Sequence, residues 1–329
     1  MRFVILGAGA IGATLGARLF EAGEDVVLIA RGRHGERLRR SGLTFISARG
    51  RRVLPIPTVK HPAALRFRDD DIVLLCVKSQ HTEAALADLR TTAGDEIPIV
   101  CAQNGVANER MALRRFAQVY AMLVMLPATF LNPAEVVSFA EGAGGVLDCG
   151  RFPGSVDERA QDLCDRLRRS GFAATPRPDV MRYKYAKLLT NLGNAVQALC
   201  GRLTESDHAT FGRMLTNEAL ACFSAAAIPC ASEPEFRAAR AALRLHRIDG
   251  YARSGGSSWQ SVARGAGDIE SDYLNGEIVR LGRLHGVPTP ANLVLQREAA
   301  ALIAAGRSAG SLSVAALRDQ LRAEGVALS

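Results

Sequence analysis

Lysine is nearly absent from this chain. Of 41 basic residues only four are lysine, at positions 60, 78, 184 and 187, and arginine supplies the rest. A lysine kept against such a background is a candidate for what a guanidinium cannot do, namely release a proton near neutral pH. Composition alone assigns no such role to Lys60 or Lys184. Other absences narrow the function further. No apolar run approaches the ~20 residues that cross a bilayer as a helix. The glycine-rich segment starts at Gly7, which leaves no room ahead of it for a secretory signal. The seven cysteines (76, 101, 149, 164, 200, 222 and 230) form no Cys-x-x-Cys. Several fall in apolar strands or helices and read as small buried hydrophobes in a reducing compartment. A cytoplasmic protein is expected, with neither a disulfide framework nor a zinc site. The six histidines are equally scattered, and no metal is expected.

The formal net charge is +8, with 22% charged and 48% hydrophobic residues. The basic residues are spread along the chain, and clusters such as Arg37-Leu38-Arg39-Arg40 read as solvated helix faces. No nucleic-acid motif accompanies them. An anionic cofactor and an anionic small substrate account for a positive cleft without a polymer partner or a membrane.

What is present begins at residue 3. The apolar strand Phe3-Val4-Ile5-Leu6 runs into Gly7-Ala8-Gly9-Ala10-Ile11-Gly12, and a helix-compatible stretch follows to Glu21. A dinucleotide pyrophosphate needs this order. Gly7 allows the tight turn, Gly9 lets the backbone approach the phosphates, and Gly12 allows helix and strand to pack closely. Ala8, Ala10 and Ile11 complete the loop, and the helix N-terminus offers its amides to the anion. The second strand, Asp25 to Ala30, is followed by Arg31-Gly32-Arg33. No acid stands where a ribose hydroxyl would be held, and Arg31 suits a 2′-phosphate, with Arg33 as a helper. The expected cofactor is NADP(H).

Alternating apolar and amphipathic stretches to residue 177 predict a doubly wound, Rossmann-like α/β domain. Strands are expected at 2–6, 25–30, 72–77, 98–101, 118–124, 135–140, 145–149 and 172–175. Helices are expected at 10–22, 33–41, 81–91, 107–115 and 156–169. Thr175-Pro176-Arg177-Pro178-Asp179 marks the boundary. Residues 178–329 read as an all-α domain with helices at 180–200, 205–227, 232–245, 267–285, 289–305 and 313–324. Gly255-Gly256-Ser257-Ser258 reads as a flexible break.

Several polar groups could carry chemistry. Lys78-Ser79 and Gln103-Asn104-Gly105 follow strands at the sheet edge where a nicotinamide would lie. Each also reads simply as a helix start or a turn. On a continuous helix Lys187, Asn191 and Asn194 fall within roughly 60° of one another. An amine and two amides on one face suit a carbonyl and its developing alkoxide, and a solvated polar stripe is the plainer reading. Ser258 could bind a carboxylate and Glu270 could accept from a hydroxyl, although Glu270 also reads as a capping or surface acid.

Together these elements resemble the ketopantoate reductase (2-dehydropantoate 2-reductase) family. The resemblance rests on Gly7/Gly9/Gly12 with Arg31, Lys78, Gln103-Asn104-Gly105, and Lys187 with Asn191. It continues with Ser258 twelve residues before Glu270, Asp272-Tyr273-Leu274-Asn275-Gly276 and His285-Gly286-Val287-Pro288-Thr289-Pro290. It implies a Rossmann domain followed by a helical domain, NADPH, a 2-oxoacid substrate and hydride delivery to the ketone carbon. By resemblance Lys187 is the general acid, and Asn104 positions nicotinamide and substrate with Lys78 close by. Asn191 holds the substrate, Ser258 its carboxylate and Glu270 its hydroxyl. A lysine beside other cations and partly desolvated would have a lowered pKa, suited to proton donation.

The pattern departs in places. The family's second helix asparagine usually stands eight residues after the lysine. Here that position is Ala195, and Asn194 comes one earlier. Gln260-Ser261-Val262 stands where a Gln-Asp pair is usual, and residues 119–152 differ from the family's glycine-rich strands. The expected activity is reduction of 2-dehydropantoate to pantoate, in pantothenate and coenzyme A synthesis. A relative reducing another 2-oxoacid or ketone, and an NADPH-binding regulator without turnover, remain alternatives. A homodimer through the helical domain is compatible with this plan.

Overall fold

The computed structural model describes residues 1–251, 255–265 and 267–327. Its strands are β1 (Arg2–Leu6), β2 (Asp25–Ile29), β3 (Leu43–Ser47), β4 (Gly50–Leu54), β5 (Thr58–Val59), β6 (Asp71–Leu75), β7 (Ile99–Cys101), β8 (Val119–Met125), β9 (Ala128–Thr129), β10 (Glu135–Ser138), β11 (Ala140–Gly142), β12 (Val146–Arg151) and β13 (Leu243–Leu245). The helices are α1 (Ala10–Glu21), α2 (Gly32–Ser41), α3 (Thr82–Arg90), α4 (Asn108–Leu113), α5 (Glu158–Arg169), α6 (Val180–Asn191), α7 (Asn194–Cys200), α8 (Glu205–Ala225), α9 (Glu233–Ala239), α10 (Ser257–Ala263), α11 (Asn275–His285), α12 (Pro290–Ala304) and α13 (Val314–Ala323).

β1 is buried along its whole length. Phe3 and Ile5 belong to one core cluster, Val4 and Leu6 to another. Both faces of the sheet are therefore covered, which is why the strand reads as a continuous apolar run rather than an alternation. The sheet has seven strands in the order β12-β8-β7-β6-β1-β2-β5. All pair in parallel except β12, which runs antiparallel to β8. From β1 the chain goes to β2 on one side and later to β6 on the other. Beside β1 lies the switch point, and ligands of such sheets bind outside the carboxyl ends there. A second sheet runs β4-β3-β10-β9, and β11 pairs with β13.

The chain divides into two compact units, Met1–Lys184 with Ser232–Arg253, and Tyr185–Ala231 with Ser254–Ser329. The first is the Rossmann-like α/β unit. The second contains no strand among its described residues. In it, the Glu218 carboxylate accepts the backbone amides of Ala291 and Asn292 at 2.8 and 3.0 Å, satisfying donors that the start of α12 leaves open. Asn275 Nδ2 donates to the Leu192 carbonyl at 3.2 Å and to Asn292 Oδ1 at 3.0 Å. That carbonyl lies where α6 gives way to α7. No helix among the described residues is long and apolar enough to cross a membrane.

The structure corrects several sequence expectations. The boundary falls inside α6 rather than at residue 177, because the Lys184 side chain is buried in the first unit. Residues 232–245 are not one helix: α9 ends at Ala239, and β13 returns to pair with β11. The helix expected at 180–200 is broken at Leu192-Gly193. The helix expected at 267–285 is a 3-10 turn, Glu270–Tyr273, followed by α11. Ser257 and Ser258 begin α10 rather than a flexible break. Residues 172–175 form no strand: Ala173 and the following Pro176 make only isolated bridges, to Val146 and Cys149. The β3–β4 hairpin was not expected, since arginines at 49, 51 and 52 obscure its two-residue period.

Candidate active site

β1 ends at Leu6, and the chain turns at Gly7 with φ +104°, a conformation natural to glycine alone. A Cβ on Gly7 would also lie 2.8 Å from Val77 N and Cγ1, and one on Gly12 would overlap the Gly7 carbonyl oxygen. Gly9 differs. A Cβ there would meet nothing within 4 Å, so this glycine faces open space. Gly9 is also the N-cap of α1 and brings no side-chain cap. Ala10, Ile11 and Gly12 open the helix, and its first-turn amides are the donors an anion needs.

Gly7, Ala8, Gly9 and Arg31 share the lining of a cavity of about 190 Å³. Arg31 is the exposed N-cap of α2. Arg33, expected as its helper, is not on the lining; Lys60 is, together with His34, His61 and Asp88. Asp88 Oδ2 lies 3.3 Å from His61 Nε2. His34 Nδ1 accepts the Ala134 amide at 2.9 Å. Its Nε2 therefore carries the proton and donates to the Ala8 carbonyl at 2.7 Å. This imidazole fastens the glycine loop from the α2 side, which the sequence reading missed.

The neighbouring loops follow β6 and β7. Lys78 is the half-buried N-cap of the 3-10 turn Ser79–His81. Asn104 is half-buried and precedes Gly105, whose φ is +80°. The two loops are tied together beneath the surface. Gln103 Nε2 donates to the Val77 carbonyl at 2.6 Å and to Thr82 Oγ1 at 2.8 Å. Thr82 Oγ1 donates to Asn108 Oδ1 at 2.8 Å. Asn108 Nδ2 reaches Ser79 Oγ at 3.1 Å and the Asn104 carbonyl at 3.2 Å. Burial raises the Cys76 and Cys101 thiols well above their ordinary range, with the Glu109 charge adding to the effect on Cys101. Neither thiol is therefore a nucleophile.

The second unit holds the remaining candidates. Lys187 is half-buried, and its Nζ donates to Asn191 Oδ1 at 3.0 Å. Asn191 is 4% exposed, and its buried Nδ2 has no hydrogen-bond partner among the described residues. Asn194 does not continue this face, because it opens the next helix, α7. Its Oδ1 lies 2.8 Å from where a Gly256 Cβ would be, against the start of α10. Ala195, at the family's asparagine position, is buried core. The Gly256 amide donates to Gln197 Oε1 at 2.7 Å, which helps seat the turn carrying Ser258. Ser258 and Glu270 are both buried. Among the described residues no His/Cys/Asp/Glu group has the makings of a metal site.

Residues 3–153 match the family described as "Ketopantoate reductase PanE/ApbA", and residues 179–302 match its C-terminal counterpart. The chain belongs to the ketopantoate reductase family. It is 25% identical over 301 residues to the 2-dehydropantoate 2-reductase of Pyrococcus horikoshii, covering 90% of this chain and 95% of that one. The crystal structure of a PanE/ApbA family ketopantoate reductase from Ralstonia eutropha superposes with a TM-score of 0.77 at 25% identity, covering 93% and 99% of the two chains. D-mandelate dehydrogenase, solved with NADH and anilino(oxo)acetate, shares the fold at TM-score 0.79 and 22% identity, again over 93% and 99%. As a ketopantoate reductase family member the chain is an oxidoreductase acting on CH–OH groups with a pyridine nucleotide. The residues present fit that cofactor: the open face of Gly9 and the uncapped start of α1 leave room and donors for a pyrophosphate.

Proposed function

We propose that this chain reduces a 2-oxoacid to the 2-hydroxy acid with NADPH, and that the substrate is 2-dehydropantoate. The observation that carries the chemistry is the Lys187–Asn191 pair. Asn191 holds the lysine amine through Oδ1, while its buried Nδ2 is a donor without a partner among the described residues. A buried donor in this state is unfavourable by ~1–3 kcal/mol, and a substrate oxygen would satisfy it. Bound NADPH supplies the hydride to the ketone carbon. Lys187 then gives a proton from Nζ to the carbonyl oxygen as charge builds there, and recovers it from solvent. Ser258 binds the substrate carboxylate, and Glu270 accepts from its hydroxyl. Asn104 orients the nicotinamide, and Lys78 adds positive charge near it.

The preference for NADPH over NADH rests on the cavity beyond β2, where Arg31 and Lys60 share the lining. Arg31→Asp is expected to weaken NADPH binding by ~1–3 kcal/mol, the scale of one charge-assisted phosphate contact. Lys60→Ala should act in the same direction and less strongly, and NADH affinity should hardly change in either variant. Titration of both dinucleotides by fluorescence reads this directly. Unchanged NADPH affinity in both variants would remove the 2′-phosphate from this cavity.

A second reading keeps the mechanism and changes the acid. It is favoured by the displaced Asn194 and by the shared fold of D-mandelate dehydrogenase, solved with anilino(oxo)acetate. The test is NADPH consumption with 2-dehydropantoate against a panel of other 2-oxoacids, with NADH as the control. Preference for 2-dehydropantoate supports the first reading and preference for another oxoacid the second. Tight NADPH binding with no reduction of any of them would end both and favour a regulator.

A further inference from the structure

Lys184 and Glu109 form a buried ion pair that the chemistry proposed above does not use. Lys184 Nζ lies 2.6 Å from Glu109 Oε1, with the two side chains 2% and 0% exposed. The same ammonium donates to the Gln103 carbonyl at 3.0 Å and the Met122 carbonyl at 3.3 Å. The ammonium thus has three partners, the carboxylate by charge and two carbonyls by hydrogen bonds. One is on α4, one on the loop after β7 and one on β8.

A buried pair of this kind is a poor source of stability. Desolvating two charges offsets most of their attraction, and well-packed apolar residues often do as well. What the pair supplies is direction. The Gln103 carbonyl it holds is adjacent in the chain to Asn104. The Gln103 side chain in turn grips the Val77 carbonyl, one residue before Lys78. Asn108, the chain neighbour of Glu109, returns through Nδ2 to the Asn104 carbonyl. The loop bearing Asn104 is therefore clamped from both ends, and Lys184 stands one turn ahead of Lys187 on α6.

We propose that Lys184 and Glu109 are positioning residues for the reduction, fixing the 103–108 loop so that Asn104 meets the nicotinamide and the ketone. This rests on the reductase reading above. The pair touches neither substrate nor cofactor. It acts through the Gln103 carbonyl and through Asn108.

The test is the double variant Lys184→Met/Glu109→Leu, which removes both charges at similar volume. Melting temperature should stay close to that of the parent protein, and NADPH affinity should remain within about twofold, since phosphate contacts dominate it. Turnover should fall at least about tenfold, the scale of a lost orientation effect. Amide hydrogen exchange at residues 103–108 should quicken. If the variant is as stable as the parent and keeps full kcat and slow exchange, the pair only fills the core and the proposal is overturned. Should the double variant not fold, Glu109→Gln, which keeps an acceptor for Lys184, is read by the same two measurements. Exchange and NADPH binding need no turnover. If the parent protein itself reduces no oxoacid, the reductase reading fails while the clamp is still tested.

Discussion

Replacing Lys187 by alanine or by arginine is expected to lower turnover at least ~100-fold, the usual scale of general acid catalysis, with little change in NADPH affinity. The arginine variant is the sharper experiment. It keeps the positive charge and much of the length, so an electrostatic role would survive it. It cannot release a proton in the working pH range, so a proton-donating role would not. Arginine also projects a planar fork that the Asn191 Oδ1 contact does not accommodate as it does an ammonium. Steady-state turnover of Lys187→Arg and Lys187→Ala should therefore be similarly low. NADPH binding, read separately by fluorescence, should stay near parental. Near-normal turnover by Lys187→Arg would take the lysine out of the proton-transfer step and leave it as a charge.

The second large effect separates two glycines a single residue apart. Gly7→Ala should damage the fold and the cofactor site together. Gly9→Ala should damage only the cofactor site. At Gly7 the φ of +104° is foreign to alanine, and the new Cβ would lie 2.8 Å from Val77. Backbone strain of ~1–3 kcal/mol and overpacking of a similar size act together there. At Gly9 the added methyl meets no protein atom, so the melting temperature should barely move. That same methyl would occupy the space where the pyrophosphate approaches the first-turn amides. Loss of those charge-assisted bonds corresponds to ~1.5–3 kcal/mol, or at least about tenfold in NADPH affinity. Thermal melts with and without NADPH read both halves. A Gly9→Ala protein that binds NADPH normally would move the phosphates away from this loop.

The parts of the molecule legible in the sequence are those governed by local rules. The β1–Gly7–α1 unit needs a buried strand, a left-handed turn and an uncapped helix start, and each is written in adjacent residues. The parallel core strands announce themselves as apolar runs because both their faces are covered. The Lys187–Asn191 pair is a helical i,i+4 contact and follows from spacing. Asn194 shows where such extrapolation ends. Its predicted angle assumed a continuous helix, whereas the helix breaks at Leu192-Gly193, where the Leu192 carbonyl accepts from Asn275, far along the chain. β13 was hidden for the same reason, because its partner β11 lies about a hundred residues earlier. Lysine scarcity drew attention to four residues, but it could not say that Lys184 meets a carboxylate in the core while Lys60 lines a cavity. Those assignments are made by tertiary neighbours.

The return of Ser232–Arg253 to the first unit means that the chain passes from one unit to the other three times. No single cleavage yields either unit intact. A fragment ending at Lys184 would lose β13 and leave β11 with an open edge, a template for aberrant pairing. A fragment beginning at Tyr185 would carry that strand away from its partner. The nucleotide-binding half of this protein is therefore not a detachable module: to isolate it, one would have to excise residues 185–231 and join the flanking ends as well as remove residues 254–329.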